Sequence, residues 1–258
     1  MTSMASLMHS ITSSAMSTKL LIDADYFLYR AASHAEEELE FSSDLTFVVG
    51  SLKKGQRRFK NEINDLCEKF NSRDVILTFT STNNFRKTVD PTYKGNRIKR
   101  KPAGYLRLKT WAMDTWKSVM KPGLEADDVC GILATNGSLG DDFVLISPDK
   151  DMLQIPCRLY NLKEDFVQNE ADAERKLYEQ CLTGDSTDGY SGCVGVGPKR
   201  AEIILNKAEG NYWPAVLKAF LDADMTEEDA LRNLRLARIL QATDWDSESQ
   251  TPILITPQ

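Results

Sequence analysis

"KLLIDADYFLYR", residues 19–30, decides the fold. Leu20, Leu21 and Ile22 make the continuous apolar run expected of a strand buried on both faces of a parallel sheet, and the run stops at Asp23. "DVILTF" (74–79) and "DDFVLIS" (141–147) repeat the pattern. Between the first two, Phe59, Ile63, Leu66 and Phe70 fall at helical spacing, which predicts a crossover helix and parallel neighbours. "YLRLKTWAMDTWKSVM" (105–120) predicts another amphipathic helix, and a further one starts near Leu124. After residue 165 "AERKLYEQCL", "PKRAEIILNKA", "YWPAVLKAFL" and "TEEDALRNLRLARIL" are all helical, with no convincing strand. The chain therefore divides into an α/β core over 19–165 and a helical lobe over 166–243, with a disordered leader (1–18) and a loose tail (244–258).

In an open parallel α/β sheet, ligands bind beyond the carboxyl ends of the strands. Asp23 stands at such an end, and "SPDKDM" places Asp149 and Asp151 at another. "PGLEADDVCGILA" (122–134) crowds Glu125, Asp127 and Asp128 into the start of the helix that precedes the third strand. "GDSTDG" (184–189) adds Asp185 and Asp188 from the helical lobe. Taken singly, each acid reads as a helix cap or a solvated loop residue. Gathered at one crevice, they would raise one another's pKa values unless cations neutralised them, and hard divalent ions take such oxygen ligands.

Two further stretches carry charge chemistry. "GCVGVGPKRAEIIL" (192–205) combines a Gly195-Val-Gly197 turn with Pro198 at a first helical position, so the free amides of the helix start, with Lys199 and Arg200, suit a phosphate. Read blandly, it is a glycine turn between helices. "FRKTVDPTYKGNRIKRKPAGY" (85–105) interleaves Phe85, Tyr93 and Tyr105 with cations, which suits base stacking and phosphate neutralisation better than a plain basic loop does. These residues predict an arch, about 83–110, over the acidic crevice.

Composition narrows the function classes. The chain has 258 residues, 41% hydrophobic and 27% charged, enough for a substantial core. Its formal charge of −6 argues against a basic coat, yet Arg86 to Lys109 holds nine cations and a single acid, Asp90. Five scattered cysteines without a CxxC pair predict reduced thiols, and only His9 and His34 exist, which disfavours histidine-based metal sites and Ser-His-Asp catalysis. No apolar run approaches the roughly 20 residues of a membrane span. The opening "MTSMASLMHSITSSAMSTK" has no secretory apolar core, so a cytoplasmic location is expected.

"LIDADYFLYR", "YKGNR", "GLEADD", "SPDKDM" and "GDSTDGYSGCVGVGPKRA", in this order, resemble the 5′-nuclease (flap endonuclease) family, especially the short bacteriophage 5′→3′ exonucleases. The resemblance covers roughly residues 19–205. It implies a PIN-like nuclease core with a central mostly parallel sheet, a mobile basic arch and a C-terminal helix-three-turn-helix lobe. The implied activity is phosphodiester hydrolysis at 5′ ends of duplex DNA, at RNA primers in RNA-DNA hybrids and at 5′ flaps, in phage replication and recombination, with other replication proteins as partners and the host cytoplasm as location.

The resemblance also assigns residues. Asp23, Glu125, Asp127, Asp128, Asp149, Asp151, Asp185 and Asp188 match the acidic cluster for two Mg2+ or Mn2+ ions, with Asp185 and Asp188 serving a more distant ion or its water. Tyr93 and Lys94 match the arch pair that stacks on the terminal base and contacts the scissile phosphate, and Arg97 is a further arch cation. Lys94, Arg97, Asp127 and Asp149 are the implied catalytic set. Arg30 and Arg86 join the nucleic-acid contacts, as do Gly195, Gly197, Lys199 and Arg200, whose turn in relatives also holds K+. One departure stands out: many relatives carry an aspartate at the end of the second strand, and "LTFTSTNNF" has none. Two alternatives compete. A non-catalytic DNA-end binding module would use the arch and glycine turn alone, and a DxD phosphatase would use Asp23 as nucleophile and Asp25 as acid.

Overall fold

In the computed structural model, residues 17–97 and 100–257 are described; the expected leader lies outside them apart from Ser17 and Thr18. β1 (Lys19–Asp23) buries Leu20, Leu21 and Ile22 completely. α1 (Ala24–His34) follows without a linker, because the Asp23 side chain accepts the Asp25 amide and caps the helix that its own strand feeds. β2 (Glu36–Ser42) and β3 (Leu45–Gly50) form a separate antiparallel hairpin with Phe41 and Phe47 exposed. α2 (Leu52–Lys69) returns the chain along the sheet, and its Phe59, Ile63 and Leu66 are buried as their spacing predicts.

β4 (Val75–Thr78) pairs parallel with β1, bringing Asp23 opposite Thr78. The arch region opens with α3 (Arg86–Val89) and closes on α4 (Tyr105–Thr115). β5 (Lys117–Val119), α5 (Ala126–Thr135) and β6 (Phe143–Ile146) come next. A 3-10 turn (Lys150–Gln154) then leads to β7 (Arg158–Tyr160) and β8 (Asp165–Val167). The sheet order is β5-β4-β1-β6-β7-β8, parallel throughout except for β7 against β8. The expected α/β core with a mostly parallel sheet is present.

Several elements differ from the expectation. The helix expected over 105–120 stops at Thr115, where Trp116 turns extended (φ −121°, ψ 157°) and β5 pairs with β4. α6 (Glu170–Thr183), α7 (Pro198–Ala208), α8 (Tyr212–Leu221) and α9 (Glu227–Ala237) pack around Leu177, Leu182, Val216, Phe220 and Leu234. The residues after 244 are not a loose tail. β9 (Trp245–Asp246) pairs with β10 (Thr251–Pro252), and Trp245 buries against Phe85, Leu124, Val129 and Leu240. Burial of that indole offsets part of the ordering entropy of the short hairpin.

Candidate active site at the carboxyl edge of the sheet

β1 and β6 deliver their acids to one edge. The Ser147 hydroxyl, just past β6, donates to Asp23 Oδ2 (3.0 Å) and accepts the Asp149 amide (3.2 Å), so a single serine fixes the spacing of the two strand ends. Asp149 then caps the 3-10 turn by accepting the Asp151 amide at 2.9 Å. Asp151 Oδ2 accepts from Gln180 of α6 (3.0 Å), whereas its Oδ1 is buried and unpartnered. Asp23, Tyr26, Ser147, Pro148, Asp149 and Lys150 line the open cleft here.

Glu125, Asp127 and Asp128 arrive from the start of α5, with carboxylate oxygens within 4.8 Å of one another. The crowding that the sequence shows resolves into three separate jobs. Asp128 is fully buried and serves the cap: its Oδ2 accepts the Glu125 amide at 3.2 Å. Arg86 grips the same carboxylate through two nitrogens at 2.7 and 2.8 Å. Glu125 pairs with Lys94 and lies 3.4 Å from the Arg86 guanidinium. Burial opposes its ionisation, but those two cations hold it down at about 2. Asp127 keeps an oxygen without a cationic partner.

Four carboxylates, Asp23, Asp127, Asp149 and Asp151, therefore join no ion pair among the described residues. Burial, with Asp25 and Asp149 adding repulsion, pushes Asp23 up to about 7. Burial and Asp149 push Asp151 to about 6, and burial with Asp128 and Glu125 raises Asp127 well above the carboxylate range. An orphaned buried oxygen beside uncompensated acids is a hard-oxygen donor set that fits a divalent cation.

The arch residues lie over this edge, and four of the expected site residues are held in contacts with the protein itself. Arg86 is no DNA contact: it is 2% exposed, its Nε donates to Leu236 O (3.0 Å) and its Nη2 to Arg238 O (2.6 Å), so it clamps α3 to α5 and to the end of α9. Tyr93 is likewise buried, stacked on Tyr190 with centroids 6.5 Å apart, its hydroxyl 2.8 Å from Asp188 Oδ2 and 3.0 Å from Glu125 Oε2. Asp128 is not a free metal ligand, because Arg86 and backbone amides take both its oxygens. Asp188 is engaged by the arch: Arg97 holds Oδ1 at 2.6 Å, while Tyr93 and Lys94 hold Oδ2. Lys94 sits at φ +55° with its amide donating to Asp188 O (2.7 Å), which aims its side chain into the cluster. Its ammonium ion keeps its charge, because Glu125, Asp127 and Asp188 outweigh burial.

The helical lobe supplies the remaining expected groups. Asp185 Oδ1 accepts the Thr187 amide (2.7 Å), and its Oδ2 lies 3.7 Å from Lys150. Gly184 and Gly192 cross back to back, where a Cβ on either would come within 2.4 Å of the other's amide nitrogen. That crossing presents the turn in which Gly195 takes φ +73°, Gly197 caps α7 and Pro198 opens it. Lys199 and Arg200 are exposed beside this open helix start. A cavity of about 790 Å³ runs from Pro198 past Asp185 and Lys150 to Asp90 and Arg232. Arg30 is half-exposed on α1, over the Tyr26 ring and 3.4 Å from Glu62. Sequence reasoning missed Ser147 and Gln180, which position the acids. A serine directly before "PDKD" was the one available signal.

Comparison with known proteins bears on family and fold. The family model described as 5′-3′ exonuclease, N-terminal resolvase-like domain, matches residues 18–179. The chain is 28% identical to the exonuclease of Escherichia phage T7, over 88% of this chain and 89% of that one. It is 26% identical to the exodeoxyribonuclease of Enterobacteria phage T3, over 93% of each. Among solved structures, the flap endonuclease of bacteriophage T5 in a pseudo-enzyme-product complex with DNA and metal ions superposes with a TM-score of 0.66 at 20% identity, over 87% of this chain and 89% of that one, a likeness of fold. By the match over more than half its length, the chain belongs to the 5′-3′ exonuclease family defined by that N-terminal, resolvase-like domain.

Proposed function

We propose that this 5′ nuclease is a divalent-metal-dependent 5′→3′ exonuclease acting on duplex DNA ends, on 5′ flaps and on RNA primers in RNA-DNA hybrids, during phage replication and recombination in the host cytoplasm. The observation that supports metal dependence is the set of four carboxylates gathered at this edge, Asp23, Asp127, Asp149 and Asp151, none of which joins an ion pair among the described residues, with one buried Asp151 oxygen unpartnered. Asp23, Asp127, Asp149 and Asp151, with Glu125 at the rim, would hold two Mg2+ or Mn2+ ions. Bound there, such ions supply a water of lowered pKa and countercharge for the oxygens of the scissile phosphodiester.

The chain's own groups account for the rest. Lys94 is held among Glu125, Asp127 and Asp188 as a cation, and on substrate binding it turns that charge to the scissile phosphate. Arg97, half-exposed beside it, contributes in the same direction. The open start of α7, with Lys199 and Arg200, binds a backbone phosphate of the duplex, and the Gly195–Gly197 turn is the place for a K+ ion. Asp185 borders the cavity between that turn and the acids, where it would serve a more distant ion. Arg30 continues the phosphate path along α1.

The test is degradation of a blunt duplex, a 5′-flap duplex and an RNA-primed hybrid in Mg2+ and in excess EDTA. Cleavage of all three in Mg2+ and of none in EDTA is expected. Full activity in EDTA contradicts the proposal, and an intact hybrid removes primer clearance from it.

A further inference from the structure

The end of β4 carries no acid, yet it does not lack a carboxylate partner. Thr80, just beyond β4, makes three bonds that tie the two halves of the acidic cluster together. Its amide donates to Asp25 Oδ2 at 2.9 Å. Its hydroxyl accepts the amide of Ala126, the residue between Glu125 and Asp127, at 3.0 Å. Its carbonyl accepts from the Lys109 ammonium of α4 (2.5 Å). Asp25 Oδ1 meanwhile accepts from the Tyr105 hydroxyl at the first residue of α4 (3.1 Å). Asp25 thus stands two residues past Asp23, in the first turn of α1, and joins three segments: the start of α1, the end of β4, and the start of α4 where the arch returns to the core. Through Thr80 it also reaches the start of α5.

We propose that Asp25 is a positioning residue for the divalent-ion site, supplying from α1 the negative charge that β4 does not and fixing, through Thr80, the spacing between Asp23 and Asp127. This rests on the nuclease function proposed above. A phosphatase role for Asp25 fits less well, because both its oxygens are already engaged by Tyr105 and Thr80. A carboxylate that orients ligands without binding the ion directly typically changes metal affinity about 10- to 100-fold when removed.

The experiment is calorimetric titration of Mn2+ into the full chain without DNA, for wild type, Asp25→Asn, Asp25→Glu and Tyr105→Phe, each checked for a cooperative thermal transition. Wild type is expected to bind Mn2+. Asp25→Asn should weaken binding about tenfold or more, Asp25→Glu should restore most of it, and Tyr105→Phe should stay within about twofold of wild type. Asp25→Asn binding as tightly as wild type overturns the inference, even if its melting temperature falls, and leaves the nuclease proposal standing. An equal loss in Tyr105→Phe overturns the charge role in favour of anchoring alone. A wild type that binds no Mn2+ removes the metal-dependent reading itself.

Discussion

Replacing Arg86 with Met should unfold the protein more readily while leaving its direct hold on DNA unchanged. The guanidinium is 2% exposed and its partner Asp128 is fully buried. It donates twice to Asp128, at 2.7 and 2.8 Å, and once each to the carbonyls of Leu236 and Arg238. Removing one partner of a buried ion pair costs about 3–5 kcal/mol, because the other charge stays buried alone. The two stranded carbonyls add to that. At roughly 2–4 °C per kcal/mol for a chain of this size, the melting temperature should fall by about 10 °C or more. Asp128→Leu should cost a similar amount. The double variant Arg86→Met/Asp128→Leu should lose clearly less than the sum, with a coupling of at least about 1–2 kcal/mol. It should not recover fully, since the Leu240 amide also bonds Asp128. Thermal melts of the four proteins give the cycle, and fluorescence anisotropy with a labelled duplex, below every melting temperature, gives the DNA affinity. An Arg86→Met variant that melts with wild type but binds DNA less tightly, with a salt slope shallower by about one charge, would refute the buried clamp and restore Arg86 to the DNA surface.

Lys94→Met should lower single-turnover cleavage about 100-fold or more while duplex affinity changes little, because its charge acts at the scissile phosphate; quench-flow on a 5′-labelled duplex checks this. Lys199→Ala and Arg200→Ala should each weaken duplex binding at every sequence tested and reduce the slope of log affinity against log salt by about 1, read by anisotropy from 50 to 200 mM salt. The metal-free protein should lose stability as pH rises from 5 to 8. Asp23 and Asp151 have folded pKa values of about 7 and about 6, above the ordinary 3.8, so the folded state holds more protons in this window and its advantage is lost as pH passes those values. Thermal melts in EDTA at pH 5 and 8 should show the fall, and added Mg2+ should reverse it at pH 8. A melting temperature flat across that range would contradict the uncompensated acids.

The parts of the fold that were legible were those whose environment is uniform along the chain. β1, β4 and β6 are buried on both faces, so each is a plain apolar run, and the acids follow directly at their ends. β5 was hidden because Trp111, Trp116 and Val119 continue an apolar rhythm that suits a helix equally well; the break at Trp116 is imposed by pairing with β4, a partner some forty residues away. β2 and β3 were hidden because their apolar residues face solvent, so no burial pattern accompanies the alternation. At the site, residue type was legible and partner was not. Arg86, Tyr93, Lys94 and Arg97 look alike as basic and aromatic members of one run, yet the fold buries the first two and leaves Arg97 half-exposed. Whether an acid in "EADD" caps a helix, answers an arginine or stays free depends on contacts 31 to 42 residues distant.

The most direct measurement is digestion of one duplex labelled at its 5′ end and, separately, at its 3′ end, with Mg2+ and with EDTA, for wild type beside Asp149→Asn. Short products released early from the 5′ label, with the 3′ label retained on long fragments, only in Mg2+ and lost in Asp149→Asn, is the predicted result. Degradation that begins from the 3′ label, or that proceeds undiminished in EDTA or in Asp149→Asn, would contradict a metal-dependent 5′ nuclease built on these carboxylates.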